Sequence, residues 1–223
     1  MEKAAEKPPT KRRAKGEQTR SKILDAALRV IARQGIRSVT HRAVATEAEV
    51  QLSLTTYYFK DINDLISEAF VRYTTRGRPE LDDLWAKVEV AMDRFPPAER
   101  RRIEQKEMLC AQLSALAEEY IAGQIQEHGD NLVVEQVFFA ELSLGPEIKQ
   151  LVDEHRQALY QPLVTLCRRF NRKDPEVEAE ILLRTILSYE YDAISKPFDD
   201  EARQHLARLV SRLMGWVMGL KRQ

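Results

Sequence analysis

Two helix-capping signals in the first third of the chain leave room for only two short helices between them. Thr40 has a side chain typical of helix N-caps, and Val39 and Val44 on either side of it are spaced to pack together. Asp61 begins the next helix in the same way. Helices this short are unstable alone, so both must be held by packing against their neighbours.

The second short segment is ambiguous by composition. It is rich in threonine and aromatic residues, which favour a strand. Neither alternate set of its residues is consistently polar or apolar, and the chain offers no strand for it to pair with. We therefore predict one helix over residues 41–48 and another over 52–58, the latter held by packing of Leu54, Tyr58 and Phe59.

The rest of the chain also has helical periodicity. Apolar residues recur at helical spacing from Thr19 up to Gly35, where glycine favours a left-handed helix end. After residue 76, breaks that contain glycine, proline or asparagine separate the later helices, and Pro162 is expected to kink one of them. These predicted segments are 80–94, 98–127, 131–144, 147–170, 176–195 and 199–220. The predicted fold class is all-α.

Charge is unevenly distributed along a chain whose formal net charge is zero. Residues 1–78 contain 16 Lys and Arg against 9 Asp and Glu, which leaves 19 against 26 in residues 79–223. A basic head on an acidic body is expected if only the head meets phosphate, and chance unevenness of solvated surfaces is the alternative.

The first 18 residues are predicted to form a disordered basic arm, because they mix Lys, Glu, Ala and Pro without helical periodicity. Their basic residues Arg12, Arg13 and Lys15 either enter a minor groove or add only non-specific attraction to nucleic acid.

The sequence gives little support to catalysis, metal binding or secretion. Cys110 and Cys167 are too few and too far apart for a disulfide framework or a cysteine-rich metal site. Catalytic and phosphate-binding motifs are absent, so we predict no enzyme, no cofactor and no metal. A helical enzyme using His128, His155 or a cysteine is the alternative, as are thiols that sense oxidants. A charged N-terminus without an apolar core, and no apolar run near the ~18 residues of a membrane span, predict a cytoplasmic protein.

A capped helix, a tight turn and a second short helix make a helix-turn-helix, whose second helix enters the major groove of DNA. Three alanines in the first helix allow close approach of the two, while Val44 and Val50 fill the corner. The polar residues predicted to face outward, where they can contact bases, are Gln51, Ser53, Thr55 and Thr56.

The residues between 19 and 70 resemble the tetracycline-repressor (TetR) family of regulators. The resemblance lies in the combination of Ala26-Ala27, Gly35, Thr40-His41-Arg42-Ala43-Val44-Ala45, Thr56-Tyr57-Tyr58-Phe59-Lys60-Asp61 and Leu65. It implies about nine helices, with a three-helix DNA-binding domain over 19–76 and an effector-binding and dimerisation domain over 77–223. It also implies a homodimeric repressor that a small-molecule effector releases from a pseudo-palindromic operator in double-stranded DNA. A ligand-independent DNA-binding regulator is the alternative.

The resemblance also assigns the DNA contacts. They are Thr40, His41, Arg42, Gln51, Leu52, Ser53, Thr55, Thr56, Tyr57 and Lys60. Helix N-termini and hydroxyls bind phosphate, lysine adds charge, and arginine serves either backbone or a guanine edge.

Two positions depart from the family pattern. Glu49 stands where a glycine is usual, so it is predicted to adopt a left-handed conformation at a cost of about 1 kcal/mol. Thr56 stands where many members have tyrosine, a contact that Tyr57 is placed to take over.

The last two helical segments carry more apolar surface than one layer needs. Their apolar faces consist of Ile181, Leu182, Thr185, Ile186 and Tyr189, and of Leu206, Leu209, Val210, Leu213, Trp216 and Val217. Pairing with the same two helices of a second copy would bury this surface, and completion of a monomeric core is the alternative.

Carboxylates within apolar helix faces suggest an effector site, because a buried carboxylate needs a partner. The candidate ligand-binding residues are Phe138, Glu141, Tyr189, Glu190 and Asp192, facing a cationic or hydrogen-bonding group of the effector. An internal basic partner such as Arg184 is the alternative.

Overall fold

The computed structural model describes residues 11–171 and 173–220, and all regular elements in these ranges are helical. The α-helices are α1 (Lys11–Gln34), α2 (His41–Glu47), α3 (Leu52–Tyr58), α4 (Ile62–Asp93), α5 (Ile103–Glu127), α6 (Gly129–Ala140), α7 (Pro146–Arg168), α8 (Pro175–Ala193) and α9 (Asp200–Val217). Short 3-10 turns lie at Ile36–Ser38 and Glu99–Arg101. The predicted all-α fold with about nine helices is confirmed.

No helix within the described ranges is long and apolar enough to cross a membrane.

Helix α1 begins at Lys11, so the disordered arm predicted through residue 18 is wrong for residues 11–18. Residues 1–10 lie outside the described residues. Residues 11–18 are rich in Lys, Arg, Ala, Glu and Gln, which are good helix formers. Extending an existing helix also avoids the cost of nucleation. The hydroxyl of Thr19 donates to the carbonyl of Lys15 at 3.0 Å within this extension.

Helix α4 runs without interruption from Ile62 to Asp93, although a break was predicted at residues 77–79. Pro79 lies inside it and removes one backbone hydrogen bond. The helix continues because both of its halves are packed: Phe70 is buried at one end and Met92 at the other. It therefore crosses the boundary predicted between residues 76 and 77.

The later helices lie close to the predicted segments. α7 and α8 each begin one residue before their predicted segments, while α6 ends at Ala140, four residues before its predicted end. α7 continues past Pro162 as a helix, and the kink expected there stays a prediction.

Two large apolar clusters organise the helices. The first core joins α1, α2 and the start of α4 to α6 and α7, and it includes Ile23, Val44, Leu65, Phe70, Phe138 and Val152. The second core joins the end of α4 to α5 and α9, and it includes Met92, Leu109, Leu206 and Met214. The rings of Phe70 and Phe138 lie 4.4 Å apart between centroids. α4 thus enters both cores.

An ion-pair cluster holds α1 against α4. The guanidinium of Arg72 donates to Asp25 through Nε at 2.7 Å and Nη2 at 3.0 Å, and Nη1 of Arg76 lies 2.6 Å from the same carboxylate. Burial by itself raises the pKa of Asp25, but the hydrogen bonds and charges of the two arginines outweigh it and hold the pKa below its ordinary value.

We predict that Asp25→Asn lowers the free energy of unfolding by about 1–3 kcal/mol at pH 7, because two arginines lose a charged acceptor. A depressed folded-state pKa stabilises the protein above the ordinary pKa of 3.8, and this stabilisation is lost as pH falls through the folded value. The difference in the free energy of unfolding between wild type and variant should therefore shrink as the pH falls below 3.8, and urea titrations measure it.

Asp83→Asn is the matched control, since Asp83 forms an exposed pair with Lys87 on the surface of α4. It should change stability much less than Asp25→Asn does, because solvent screens an exposed pair. Equal destabilisation by the two substitutions at pH 7 would contradict the role given to Asp25.

Candidate functional site

Helix α2 begins at the predicted cap. The hydroxyl oxygen of Thr40 accepts a hydrogen bond from the backbone N–H of Ala43 at 3.1 Å. Val39 and Val44 are both buried in the first core, which fixes the direction in which the chain enters α2. The exposed first turn of α2 is thereby held in place.

The turn between α2 and α3 is closed by two backbone hydrogen bonds. The N–H of Val50 donates to Ala45 at 3.0 Å and that of Glu49 to Thr46 at 3.1 Å, the pattern of a Schellman motif. This motif needs a left-handed residue at position 49, and Glu49 has φ 50. The prediction of a left-handed glutamate is confirmed.

Helix α3 has the predicted bounds, but one of its proposed DNA contacts is wrong. Thr55 is fully buried, and its hydroxyl donates to the carbonyl of Leu52 at 2.8 Å. The helical repeat places residue 55 on the same side as Tyr58 and Phe59, which face the first core. The prediction that every polar residue of this segment faces outward did not take the helical repeat into account.

The other predicted contact residues lie at the surface or only partly below it. Thr40, Arg42, Gln51, Leu52, Ser53, Thr56, Tyr57 and Lys60 are all exposed, and His41 is half-buried. Tyr57 is 78% exposed, and its ring meets Tyr58 edge-on at 5.0 Å between centroids. An exposed tyrosine on a short helix that is fixed by buried neighbours is available to a partner. The side chains of Arg12 and Arg13 are outside the described part of the chain.

Neighbouring helices hold this surface in position. Nε of Arg29 on α1 donates to the carboxylate of Glu47 at 2.6 Å, and this hydrogen bond together with the charge of Arg33 lowers the pKa of Glu47. At the start of α4, Asp61 accepts from the N–H of Asp64 at 2.9 Å, while Asp64 accepts from that of Lys60 at 2.9 Å. These two hydrogen bonds fix the backbone of Lys60 beside the end of α3.

A cavity of about 940 Å³ lies among the six helices α4 to α9. Its volume is at the upper end of the range of ~300–1,000 Å³ typical of ligand sites. Apolar side chains from all six helices line most of it, among them Trp85, Leu113, Leu132, Leu159, Ile186 and Met214.

A buried carboxylate, Glu135 of α6, connects four helices at one side of the cavity. It accepts hydrogen bonds from the hydroxyl of Tyr73 on α4 at 2.9 Å and that of Tyr191 on α8 at 3.0 Å. Nε2 of His155 on α7 lies 2.7 Å from the same carboxylate. Its two oxygens are thus well supplied with partners. Sequence reasoning missed Glu135, although its place in an apolar segment was the available signal.

A second buried carboxyl, that of Glu190 on α8, also lines the cavity and is only 4% exposed. Burial and the nearby charge of Glu135 raise the pKa of Glu190 well above its ordinary value. Among the residues that the structure describes, Glu190 has no hydrogen-bond or ion-pair partner. It is the one predicted ligand-binding residue that lines the cavity.

The other four candidate ligand residues are elsewhere. Phe138 is buried in the first core, Asp192 is exposed, and the hydroxyl of Tyr189 donates to the carbonyl of Ala202 at 2.8 Å. Glu141 accepts hydrogen bonds from the hydroxyl and backbone of Ser143 and lies 3.2 Å from Nη2 of Arg37. These contacts lower the pKa of Glu141 to about 2, so its partner is internal, as the alternative proposed, but it is not Arg184.

The two cysteines are packing residues. Both are buried, and burial raises the pKa of Cys110 and brings that of Cys167 to about 12. Thiols in this state are poor nucleophiles at neutral pH, which disfavours the oxidant-sensing alternative.

Comparison with known proteins bears on the N-terminal helices first. Residues 23–69 match the family model described as bacterial regulatory proteins, tetR family. A curated relative, the HTH-type transcriptional regulator BetI of Paraburkholderia phymatum, is 27% identical over 201 residues, covering 84% of this chain and 88% of its own.

Solved structures resemble nearly the whole chain in fold. A transcriptional regulator from Rhodococcus sp. Rha1 has a TM-score of 0.64 at 16% identity, covering 90% of this chain and 96% of its own. The multidrug binding protein EbrR complexed with ethidium has a TM-score of 0.54 at 22% identity, covering 88% and 98%. At such identities the likeness concerns the fold.

We predict that Glu49→Gly raises the free energy of unfolding by about 1 kcal/mol, because glycine adopts the left-handed conformation without the steric cost that a side chain brings. Chemical denaturation of both proteins measures the difference. Glu49→Ala keeps the strain and removes only an exposed carboxylate 4.0 Å from Lys22, so it should change stability little. An increase as large for alanine as for glycine would show that charge, not backbone conformation, is responsible.

Proposed function

We propose that this chain is a DNA-binding transcriptional regulator of the tetracycline-repressor family and not an enzyme. In this proposal it is a homodimeric repressor released from a pseudo-palindromic operator by a small-molecule effector. The observation that supports this most directly is the course of α4, which begins beside α3 and continues into the wall of the cavity. We propose that residues 19–76 bind DNA and residues 77–223 bind effector and partner subunit, with α4 shared by both.

In this proposal α3 is the recognition helix and enters the major groove. Exposed side chains of α3 and the turn before it contact bases, while the start of α2 and Lys60 contact phosphate. The proposed contact residues are Thr40, His41, Arg42, Gln51, Leu52, Ser53, Thr56, Tyr57 and Lys60. Arg42 is fully available, since among the described residues its side chain forms no ion pair.

The dimer is proposed to form through α8 and α9. Part of the apolar surface predicted for it is buried within the chain, including Leu206 and Val210. Val177 and Ile181 nevertheless remain exposed one turn apart on α8, and Trp216 of α9 is 67% exposed. Exposed aromatic and branched side chains of this size favour association through an isologous contact, which would place two recognition helices about 34–36 Å apart.

The cavity is connected to the DNA-binding helices by contacts of the second half of α6 and of the residue that follows it. Glu135 binds Tyr73 of α4, and one turn later Phe138 packs on Phe70 of the same helix. Beyond the end of α6, Glu141 pairs with Arg37, which follows α1. A ligand that prefers a different position of α4 or α6 would change the separation of the recognition helices and lower operator affinity. A structural neighbour, EbrR, is described as a multidrug binding protein, which agrees with a ligand-binding role for this fold.

We predict that Arg42→Ala weakens binding to the operator by about tenfold or more, since each arginine contact to a base is worth about 1–3 kcal/mol and a dimer loses two. Footprinting DNA upstream of the regulator's own gene would locate the protected site, and fluorescence anisotropy would measure affinity over a range of salt concentrations. The matched control is Lys87→Ala, which removes one positive charge from α4 about 37 Å along the helix from its start. Equal effects of the two substitutions, or no protected pseudo-palindrome, would oppose the proposed interface.

We predict that the wild-type chain sediments as a dimer of 25.8 kDa subunits at micromolar concentration. Trp216→Asp and Ile181→Asp should each produce monomers, because the interface would bury an unpaired carboxylate. Val90→Asp, at an equally apolar and exposed site on α4, should leave the dimer intact. A wild-type monomer in sedimentation velocity experiments, or dissociation by the control alone, would rule out this interface.

A further inference from the structure

The two buried carboxyl groups of the cavity differ in how their hydrogen-bonding capacity is met. Glu135 has three partners on three helices, whereas Glu190 has none among the described residues. A carboxyl removed from water without a partner is unfavourable, and this one lines a space large enough for a ligand. The structure therefore contains an unmet acceptor at a defined place in the cavity.

We propose that the cavity binds an organic cation with a largely apolar body, and that Glu190 is the counter-ion for its positive charge. This inference rests on the effector-binding part of the proposed function and specifies the chemical class of the effector.

The other charges around the cavity favour a cation over an anion. The basic residues that line it are already neutralised: Arg76 binds Asp25, and Arg78 binds Asp82 at 2.8 Å. His128 lies 3.1 Å from Glu80. An anionic ligand would have to break one of these pairs, whereas a cation meets Glu190 without displacing a protein group.

The remaining surface suits the apolar body of such a ligand. Leu183, Ile186 and Leu187 of α8 lie within two turns of Glu190 and line the same cavity. Trp85 and Tyr120 add aromatic rings to the wall, and ring faces attract cations. The site thus combines one unpaired carboxyl with apolar and aromatic walls.

The groups around Glu190 couple cation binding to the protonation of its carboxyl. Three groups interact with the charge of Glu190: Tyr120 of α5, Glu135 of α6 and Tyr191 of α8. The charge of Glu135 favours the neutral form of the Glu190 carboxyl. Both tyrosines have a raised pKa and are neutral at pH 7. The titratable groups that α4 and α7 contribute to this side of the cavity are Tyr73 and His155, and both are bound to Glu135.

The α9 wall is apolar, formed by Val210, Leu213 and Met214. Burial raises the pKa of Glu190 and so favours its neutral form in the empty site, whereas a bound cation favours its ionisation. Cation binding should therefore release a proton, and affinity should increase with pH below the folded-state pKa.

Isothermal titration calorimetry on the full-length protein without DNA tests this. The probes are 10-methylacridinium, a permanent cation, and acridine, which has the same ring system and is neutral at pH 8. The wild type should bind the cation at least about tenfold more tightly than the neutral ring. Titrations in buffers of different ionisation enthalpy should show up to about one proton released per cation at lower pH.

Glu190→Gln should reduce affinity for the cation by about tenfold and abolish proton release, with affinity for acridine changed by less than about twofold. Glu154→Gln is the matched control, because Glu154 also lines the cavity but is exposed. It should leave both affinities close to those of the wild type.

Equal binding of the two probes by the wild type, or no binding of the cation, would overturn the proposal, and this comparison does not depend on the variant folding. An unchanged cation affinity in Glu190→Gln would do the same. Fluorescence anisotropy with operator DNA distinguishes failure of the cation proposal from failure of the proposed function. Release of DNA by an uncharged effector would leave the repressor proposal intact and refute only the cation, whereas tight cation binding without any effect on DNA affinity would support the site and refute its effector role.

Discussion

One uninterrupted helix, α4, is the element on which the arrangement of this protein depends. Its 32 residues extend about 48 Å, from the Asp61 cap beside α3 to the second core. The first core, the Asp25 ion pairs and the Glu135 hydrogen bonds all fasten other helices to it. These contacts hold α4 along its length, so one continuous helix connects the cavity to the helices of the first core.

Glu190 differs from the other buried or ion-paired acidic residues in lacking a partner within the described part of the chain. Asp25, Glu47 and Glu141 each bind at least one arginine, and each has a lowered pKa because hydrogen bonds and positive charge outweigh burial. Glu135 is buried with three partners and so serves to join helices. Glu190 stands apart, since it is equally buried, lines the same cavity and lacks a partner in the described residues. Internal packing does not explain a buried carboxyl group at this position, whereas ligand binding would.

Sequence reasoning succeeded where the determining interactions are local. The bounds of α3, the caps at Thr40 and Asp61, and the left-handed Glu49 all follow from residues within one or two turns. It failed where distant contacts decide the outcome. Pro79 was expected to end a helix, but two separate cores hold α4 on either side of it. Glu141 lies in an apolar helix face and so suggested a ligand, but its partner is Arg37, which lies 104 positions away in the sequence.

Pro79 also affects how easily α4 bends. A proline deprives the helix of one hydrogen bond and makes that point the easiest to bend. Because Thr75 and Pro79 both line the cavity, the most compliant part of α4 lies where a ligand would press on it. Glu80, the next residue, is tied to Gln124 at 2.8 Å and to His128 at 3.1 Å. These two contacts join α4 to the C-terminal end of α5 immediately beside the proline, so a bend at Pro79 would also displace α5.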